Sequence, residues 1–435
     1  MYITKTIFDT RTEPIEYTEG QRKALTLVSA FLLSDDHFFL LAGYSGCGKT
    51  TIAENIANFK RATVLAPTNA AVNRLREKIR NKRLLYQTIH KQLFSTKDKY
   101  GKFIQDKGLI RNHTYIVDEC SMIDKYILEL LIKEATTKNC KLIFMGDSFQ
   151  LEPVGEDPKI FLWEKSYPVH FKAENKYELT EVKRYDGSLL HIATQIRTNK
   201  VSKFQNPTDS DLIAVEKFNK ELATDIKNNN SYVVLTSTNK RRVLYNNRIR
   251  AYKYNDPEIS MHVRKDDVLV SISNNYIYSN GELFTTDYCS LLFETKLTLI
   301  DEEQNISVYD VLFYDIDDDL VLFIPNLIIS SLHGSDLFDA IEEGRMLIPE
   351  EFRKRLIITY ELRGVENSFF NREVVIATYG YAISCHKAQG QEWDNVYIDA
   401  YWMMPVWDNA KWFYTAITRA KKNVQLIKNK YLLIQ

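Results

Sequence analysis

Gly43-Tyr44-Ser45-Gly46-Cys47-Gly48-Lys49-Thr50 fits the pattern G-x-x-x-x-G-K-[ST] at every fixed position. The apolar run His37 to Ala42 precedes it, and a helix-compatible run, Thr51 to Phe59, follows. A strand, a glycine-rich turn and a helix in that order make a phosphate-binding loop. The glycines let backbone N–H groups turn inward around the phosphates, and the helix N-terminus adds a partial positive charge. Gly43, Ser45, Gly46, Cys47, Gly48 and Thr51 are the expected lining. Lys49 reaches the outer phosphates, and the Thr50 hydroxyl suits Mg²⁺. A bound nucleotide follows, and the remaining question is what its hydrolysis drives.

At 435 residues the chain has room for two or more domains. With 45% hydrophobic and 26% charged residues, its composition is that of an ordinary globular protein. No apolar run approaches the roughly 20 residues of a membrane span, so no membrane association is expected. The first residues, MYITKTIFDTRTEP, lack the apolar core of a signal peptide. Cys47, Cys120, Cys140, Cys289 and Cys385 are scattered, with no C-x-x-C pair. They read as reduced thiols of a cytoplasmic protein, not as a disulfide frame or zinc site.

The chain is formally neutral, which would disfavour a polyanionic partner, but the average hides an asymmetry. Residues 301–350 carry thirteen acidic groups and one basic group, Arg345, a net charge of −12. The rest of the chain therefore carries +12 and can attract phosphate while this segment repels it. The acidic segment is expected to face away from any nucleic acid.

Apolar β-like runs alternate with helical patterns from about residue 20 to 180: His37–Ala42, Ala62–Ala66, Thr114–Val117 and Lys141–Gly146. That alternation predicts a parallel sheet covered by helices. A second set opens with Tyr232–Thr236 and a basic helical stretch, Lys240–Tyr252. It resumes at Glu373–Thr378, Val396–Ala400 and Val424–Ile427. In between, Val268–Ile272, Ser290–Ile300, Val308–Tyr314, Leu320–Ile324 and Leu356–Glu361 are short runs rich in β-branched and aromatic residues. They predict a small inserted β-barrel with a helical excursion near 336–354.

Ile116-Val117-Asp118-Glu119 is an apolar strand ending in two carboxylates. Behind a phosphate loop, Asp118 is placed to hold Mg²⁺ through water, and Glu119 to orient the attacking water. Gly146-Asp147-Ser148-Phe149-Gln150 follows another strand, and Gln150 could sense the γ-phosphate or be an ordinary loop amide.

These segments come in a familiar series. GYSGCGKTT, APTNAAVNRL (66–75), TIH (88–90), VDECSMID (117–124) and GDSFQLEPV (146–154) resemble successive motifs of superfamily 1 DNA helicases. So do LTEVKR (179–184), YAISCHKAQGQEWDNVYI (381–398) and YTAITRAKKNV (414–424). Their order is similar to that of the RecD/Dda-like 5′-to-3′ branch, and the resemblance runs from Thr18 to Val424. It implies an α/β fold: two RecA-like parallel-sheet P-loop domains, with a hairpin inserted in the first and an SH3-like β-barrel in the second. The implied boundaries are 1–90 and 114–185 for the first domain, and 91–113 for its insertion. The second domain takes 186–261 and 371–435, and its acidic insertion 262–370.

The resemblance implies ATP and Mg²⁺ as cofactors, with ATP between the two domains. Gln21 would contact the adenine edge, where an amide can donate and accept at once. Arg184 and Arg419 would be arginine fingers, groups worth about 10³–10⁵ in rate at comparable phosphoryl-transfer sites. Gly390 and Glu392 would approach the phosphates and ribose. Pro67, Thr68, Asn69, Thr88 and His90 on the first domain, and Thr236, Asn239, His386 and Lys387 on the second, would grip a DNA strand. Short hydroxyl, amide and imidazole groups suit phosphate oxygens without reading sequence. Asn69 stands where Dda-like relatives carry a histidine, so base contact there is not carried over. The implied partners are single-stranded DNA and single-strand/duplex junctions, with a replication or single-strand-binding protein as a further candidate. A monomer in the cytoplasm of a bacterium or phage-infected host is expected.

Residues 91–113 carry six Lys/Arg against two Asp, with Phe94, Tyr100 and Phe103 between them. Tyr100-Gly101 marks a hairpin tip. A base stacked on a ring is worth about 1–3 kcal/mol, and the mean DNA stacking step is about 1.4 kcal/mol. One ring can thus offset one parted step. A solvated surface hairpin is the plainer alternative. At the level of the whole chain the alternatives are a translocase that strips proteins from DNA without net unwinding, and a P-loop switch. Against the switch, Asn239-Lys240 is followed by Arg241-Arg242 and lacks the Asp of a guanine-reading N-K-x-D.

Overall fold

The computed structural model describes residues 16–79, 81, 83–94, 96–97, 103–104, 107–151, 173–182, 188–198, 212–213, 215–272, 278, 281–300, 306–317, 319–326, 346–347, 375–399 and 410–427. The chain forms two compact units, Met1–Arg197 and Thr198–Gln435.

The first unit opens with α1 (Glu19–Leu33), started by a capping box in which Thr18 accepts from the Gln21 amide and the Gln21 side chain returns to the Thr18 amide. Then follow β1 (Phe38–Gly43), α2 (Lys49–Lys60), β2 (Thr63–Ala66), α3 (Asn69–Lys78), β3 (Tyr86–Thr88) and α4 (Ile89–Leu93). Two short strands, β4 (Thr96–Lys97) and β5 (Phe103–Ile104), precede β6 (Thr114–Val117), α5 (Lys125–Thr137), β7 (Lys141–Gly146), β8 (Lys176–Leu179) and α6 (Ser188–Arg197). Six strands make a parallel sheet in the order β3-β2-β6-β7-β1-β8.

The central strands are apolar almost throughout because helices cover both faces. Phe39, Leu41, Val64, Ile116, Ile143 and Met145 pack one way, against α1, α2 and α3. Their neighbours Phe38, Leu40, Leu65, Tyr115, Val117, Leu142 and Phe144 pack the other way, against α4 and α5. The parallel core expected from the sequence is present, with β3 and β8 as additional edge strands.

β4 and β5 pair antiparallel with Lys97 opposite Phe103. Residues 98–102, Tyr100 among them, lie outside the described residues, as does the side chain of Phe103. Phe94 departs from the expectation of an aromatic facing DNA. It is 5% exposed and belongs to the core beside Ile89 and Leu93.

The second unit contains β9 (Leu212–Ile213), α7 (Val215–Lys227), β10 (Tyr232–Thr236) and α8 (Asn239–Lys253). Next come β11 (Val268–Ser271), β12 (Leu283–Thr285), β13 (Cys289–Ile300), β14 (Ile306–Ile316), β15 (Asp319–Phe323), β16 (Met346–Leu347) and β17 (Val375–Tyr379). It ends with β18 (Ala382–Ser384), β19 (Trp393–Asp399), α9 (Ala410–Ile417) and β20 (Ala420–Ile427). A second parallel sheet has the order β18-β10-β19-β20-β9.

The intervening strands form a seven-stranded sheet, β12-β11-β17-β15-β14-β13-β16, antiparallel except between β15 and β17. No ladder joins β12 to β16 among the described residues, so the expected barrel is seen there as an open series of strands. The run expected at 373–378 to resume the parallel sheet is instead β17, paired with β11 and β15. An apolar run predicts a strand but not its partner. The helical excursion near 336–354, the run Leu356–Glu361 and most of the acidic segment lie outside the described residues.

A buried ion pair joins this sheet to α8. Arg250 grips Asp267 through Nε and Nη2, each at 3.0 Å, and donates to the Ser260 and His262 carbonyls. The Tyr381 hydroxyl donates to the same carboxylate at 2.8 Å. Every strong polar group there is satisfied, as a buried charge requires.

Candidate functional site

In the first sheet four loops leave the carboxyl ends of adjacent strands: the phosphate loop after β1, Pro67–Asn69 after β2, Asp118–Glu119 after β6 and Asp147–Gln150 after β7. In an open parallel sheet that edge is where ligands bind.

Lys49 Nζ donates to the carbonyls of Gly43, at 2.7 Å, and Tyr44, at 2.9 Å. The ammonium thus folds onto its own loop, where two carbonyl oxygens stand in for phosphate oxygens. Gly48 has φ +85°, and a Cβ there would lie 2.3 Å from Gln21 Nε2. Only glycine fits both the backbone and the space. Ser45 and Cys47 are buried, whereas Gly46, Thr50 and Thr51 are partly exposed. Burial pushes the Cys47 thiol up, outweighing the pull of Lys49.

Gln21 is 3% exposed, and both ends of its amide are engaged. Nε2 donates to the Cys47 carbonyl at 3.0 Å, and Oε1 accepts from the Thr18 amide at 3.1 Å. It therefore braces α1 against the phosphate loop. Each end of the amide keeps one further N–H or lone pair for a ligand.

Asp118 and Glu119 are both buried. Glu119 has a left-handed backbone, φ 49°, ahead of a 3-10 turn over Cys120–Met122. Such a conformation is uncommon outside glycine and asparagine and concentrates at functional sites. Gly146 lets this turn approach β7, since a Cβ there would lie 2.6 Å from Cys120 Sγ. Burial, and then the neighbouring Glu119 charge, push the Asp118 carboxyl above its ordinary value, against the pull of Arg74 and Lys49. Arg74 Nη2 bridges the pair, 2.8 Å from Glu119 Oε1 and 3.3 Å from Asp118 Oδ2.

Gln150 is 4% exposed, and its Oε1 is buried with no hydrogen-bond partner among the described residues. An orphaned amide beside a phosphate loop fits a group waiting for a ligand. Asp147 is salt-bridged to Arg197, whose Nη2 also reaches Glu178 at 2.8 Å. The same guanidinium lies 4.0 Å from the centre of the Tyr44 ring. A glycine cradle, a mobile-ended lysine, a Thr50–Asp118 oxygen set and the orphaned Gln150 together fit a nucleoside triphosphate with Mg²⁺. No metal-binding cluster of His, Cys, Asp and Glu occurs among the described residues, so a metal there would depend on the phosphates.

Two of the expected grip residues, Thr68 and Thr88, are helix caps. Thr68 starts α3 by accepting from the Ala71 amide at 3.2 Å, and Thr88 starts α4 by accepting from Lys91 at 3.1 Å. A capping hydroxyl uses a lone pair and keeps its O–H to donate. Pro67, Asn69 and His90 are partly exposed, and burial lowers the His90 pKa.

In the second unit, Thr236 is 1% exposed and donates its hydroxyl to the Thr238 carbonyl at 3.3 Å. Thr238 is the exposed hydroxyl of that turn and caps α8, with Asn239 as its first residue. Thr238-Asn239 repeats Thr68-Asn69, a signal legible in the sequence that was read only in part.

His386 and Lys387 follow β18, whose Ser384 is level with Thr236. They therefore leave the carboxyl edge of the second sheet. Burial, then Arg242, bring the Lys387 pKa down to about 7. Gly390 and Glu392 lie just before β19, and Arg419 just before β20, at the opposite edge. Residues 385–392 thus run the length of the sheet. Gln391 pins them by donating to the Lys387 and Gly281 carbonyls, each at 2.9 Å. Arg419 is 2% exposed and donates to the Thr415 carbonyl at 3.0 Å and the Thr418 hydroxyl at 3.1 Å. It would have to turn out to meet a phosphate. Arg184 lies outside the described residues.

All five cysteines are free thiols, and no helix among the described residues is long and apolar enough to cross a membrane.

Comparison with known proteins agrees with this geometry. Residues 16–217 match the AAA domain family and 379–427 the UvrD-like helicase C-terminal domain. An uncharacterized protein of Acanthamoeba polyphaga mimivirus is 24% identical, over 88% of this chain and 93% of its own length. The ATP-dependent DNA helicase Dda of Enterobacteria phage T4 is 29% identical over 42% of this chain, a match that spans 43% of Dda. The RecBCD enzyme subunit RecD of Buchnera aphidicola is 25% identical over 94% of this chain and 73% of its own length. The Bacteroides Pif1 helicase, solved with ADP-AlF3 and single-stranded DNA, shares the fold at a TM-score of 0.50 and 16% identity, covering 97% of this chain and 95% of that one. The first part of the chain is thus similar to the AAA domain family, its end to the UvrD-like helicase C-terminal domain, and most of its length to RecD.

Proposed function

We propose that the chain is an ATP-dependent DNA helicase that moves 5′ to 3′ along single strands and unwinds duplex. The observation that carries the reading is the shared sheet edge of Lys49, the Asp118–Glu119 pair and the orphaned Gln150, with strand-binding candidates on the neighbouring loops. Bound ATP with Mg²⁺ would supply the γ-phosphoryl group and neutralise part of its charge. Lys49 exchanges two carbonyl partners for phosphate oxygens. Thr50 and Asp118 would hold the metal, Glu119 would orient water, and Gln150 would report the γ-phosphate. Arg184 and Arg419 are the candidate arginine fingers, cations that would stabilise transition-state charge.

The strand-facing hydroxyls of Thr68, Thr88 and Thr238, with Asn69, Asn239, His386 and Lys387, hold the sugar–phosphate backbone without reading bases. Within the second unit, the 385–392 segment links strand contacts at one edge to Gly390 and Glu392 at the other. Tyr100 and Phe103, aromatics of the basic segment 91–113, would act at the junction as a pin. Single-stranded DNA and forks are the partners, the working form is a monomer, and replication, recombination or repair is the setting.

An unwinding assay on 5′-tailed and 3′-tailed duplexes tests this directly. Separation of the 5′-tailed substrate alone is expected. Preference for the 3′ tail would refute the polarity. ATP-driven movement with no strand separation on either substrate would leave a translocase.

A further inference from the structure

We infer that Arg74 is a positioning residue that holds the Asp118–Glu119 carboxylates in reserve and couples strand binding at the start of α3 to ATP hydrolysis. The inference rests on the helicase reading above and specifies how that site is controlled.

A single guanidinium nitrogen spans both carboxylates, at 2.8 Å and 3.3 Å. The side chains of Asp118 and Glu119 are only 5% and 7% exposed, so this cation is a major part of what balances them. The two oxygens it occupies are needed elsewhere in the reaction. Asp118 must serve the metal, and Glu119 must accept a hydrogen bond from water. A charge-assisted bond from arginine competes with both and makes Glu119 a weaker base.

Arg74 reaches this pair from another element. It sits five residues along α3 from Asn69, roughly 7–8 Å at 1.5 Å per residue. The same ten-residue helix begins with the Thr68 cap and Asn69, both partly exposed. Ala71, Val72 and Leu75 seat its inner face on the sheet through apolar contacts alone, so the ten-residue helix can slide over the strands as one rod. A strand drawn onto Thr68 and Asn69 pulls on the helix that carries Arg74. A shift of about 1 Å lengthens the 2.8 Å contact beyond hydrogen-bonding range and frees Glu119.

The test is ATP turnover of the full chain with and without single-stranded oligonucleotide, for wild type, Arg74→Gln and Arg74→Lys. Arg74→Gln is expected to raise strand-free turnover about tenfold, the scale of one charge-assisted bond, and to bring the stimulation ratio close to one. Arg74→Lys keeps the charge, guards against misfolding and is expected to give an intermediate ratio. A wild type that the strand stimulates, with variants slowed equally in both conditions and an unchanged ratio, would make Arg74 merely structural and overturn the inference. A wild type with no strand-stimulated turnover would instead overturn the helicase reading, and the inference with it.

Discussion

The two parallel sheets use their edges differently. In the first, the phosphate loop and the turns at Thr68 and Thr88 leave the same carboxyl edge. In the second, the turns at Thr238 and His386 lie at the carboxyl edge, whereas Gly390, Glu392 and Arg419 lie at the other. Charge follows the same division. In the first unit, Asp118 and Glu119 are held by Arg74, and Asp147 by Arg197. In the second, the ion pairs Arg250–Asp267 and Arg241–Asp399 are structural, while Arg419 is held by a carbonyl and a hydroxyl. The first unit pairs its buried acids with arginines, and the second keeps the buried Arg419 on neutral partners.

The largest effects should come from removing either cation. Lys49→Ala is expected to abolish ATP hydrolysis, measured as phosphate release. Arg419→Ala is expected to lower it about 10³–10⁵-fold while nucleotide still binds. Substantial strand-stimulated turnover in either variant would break the division of labour. Arg197→Ala should act on stability: it removes the guanidinium from Asp147, whose side chain is 0% exposed and which retains the Phe149 N–H as a donor, a change bounded by the about 3–5 kcal/mol that breaking a buried ion pair costs. Chemical denaturation measures it, and a loss below about 1 kcal/mol would mean that Asp147 finds water or another donor.

Smaller effects belong to the pin and to the second sheet's strand edge. Tyr100→Ala and Phe103→Ala should spare ATP turnover and slow unwinding by about tenfold at most, the worth of roughly one stacked base. Unwinding at full rate in both would remove the pin. Lys387 should give the smallest signal. Its pKa of about 7 leaves it charged below neutrality and neutral above, so strand affinity should fall modestly from pH 6 to 8. Loss of that slope in Lys387→Met would assign it to this residue; an unchanged slope would assign it elsewhere.

The motif pattern was legible where chemistry depends on neighbours in sequence. The phosphate loop, Asp118–Glu119 after an apolar strand and Gln150 after another needed only local order, and each was found at the edge it implied. Thr68 and Thr88 were expected as strand contacts, and that they cap α3 and α4 became clear only with the helices they start. Arg74 and Arg197 were missed because their partners lie 44–45 and 50 residues away. Phe94 was misread as surface, since an aromatic between lysines can face either way.

Local sequence by itself determined that a nucleotide loop, a carboxylate pair and two sets of parallel strands exist, because backbone sterics and hydrophobic periodicity act over a few residues. Tertiary structure decided which sheet received Val375–Tyr379, that Gln21 braces the phosphate loop, and that Arg74 closes on Asp118 and Glu119. Strand partnership and charge pairing depend on distances through space, which chain order does not encode until the core has packed.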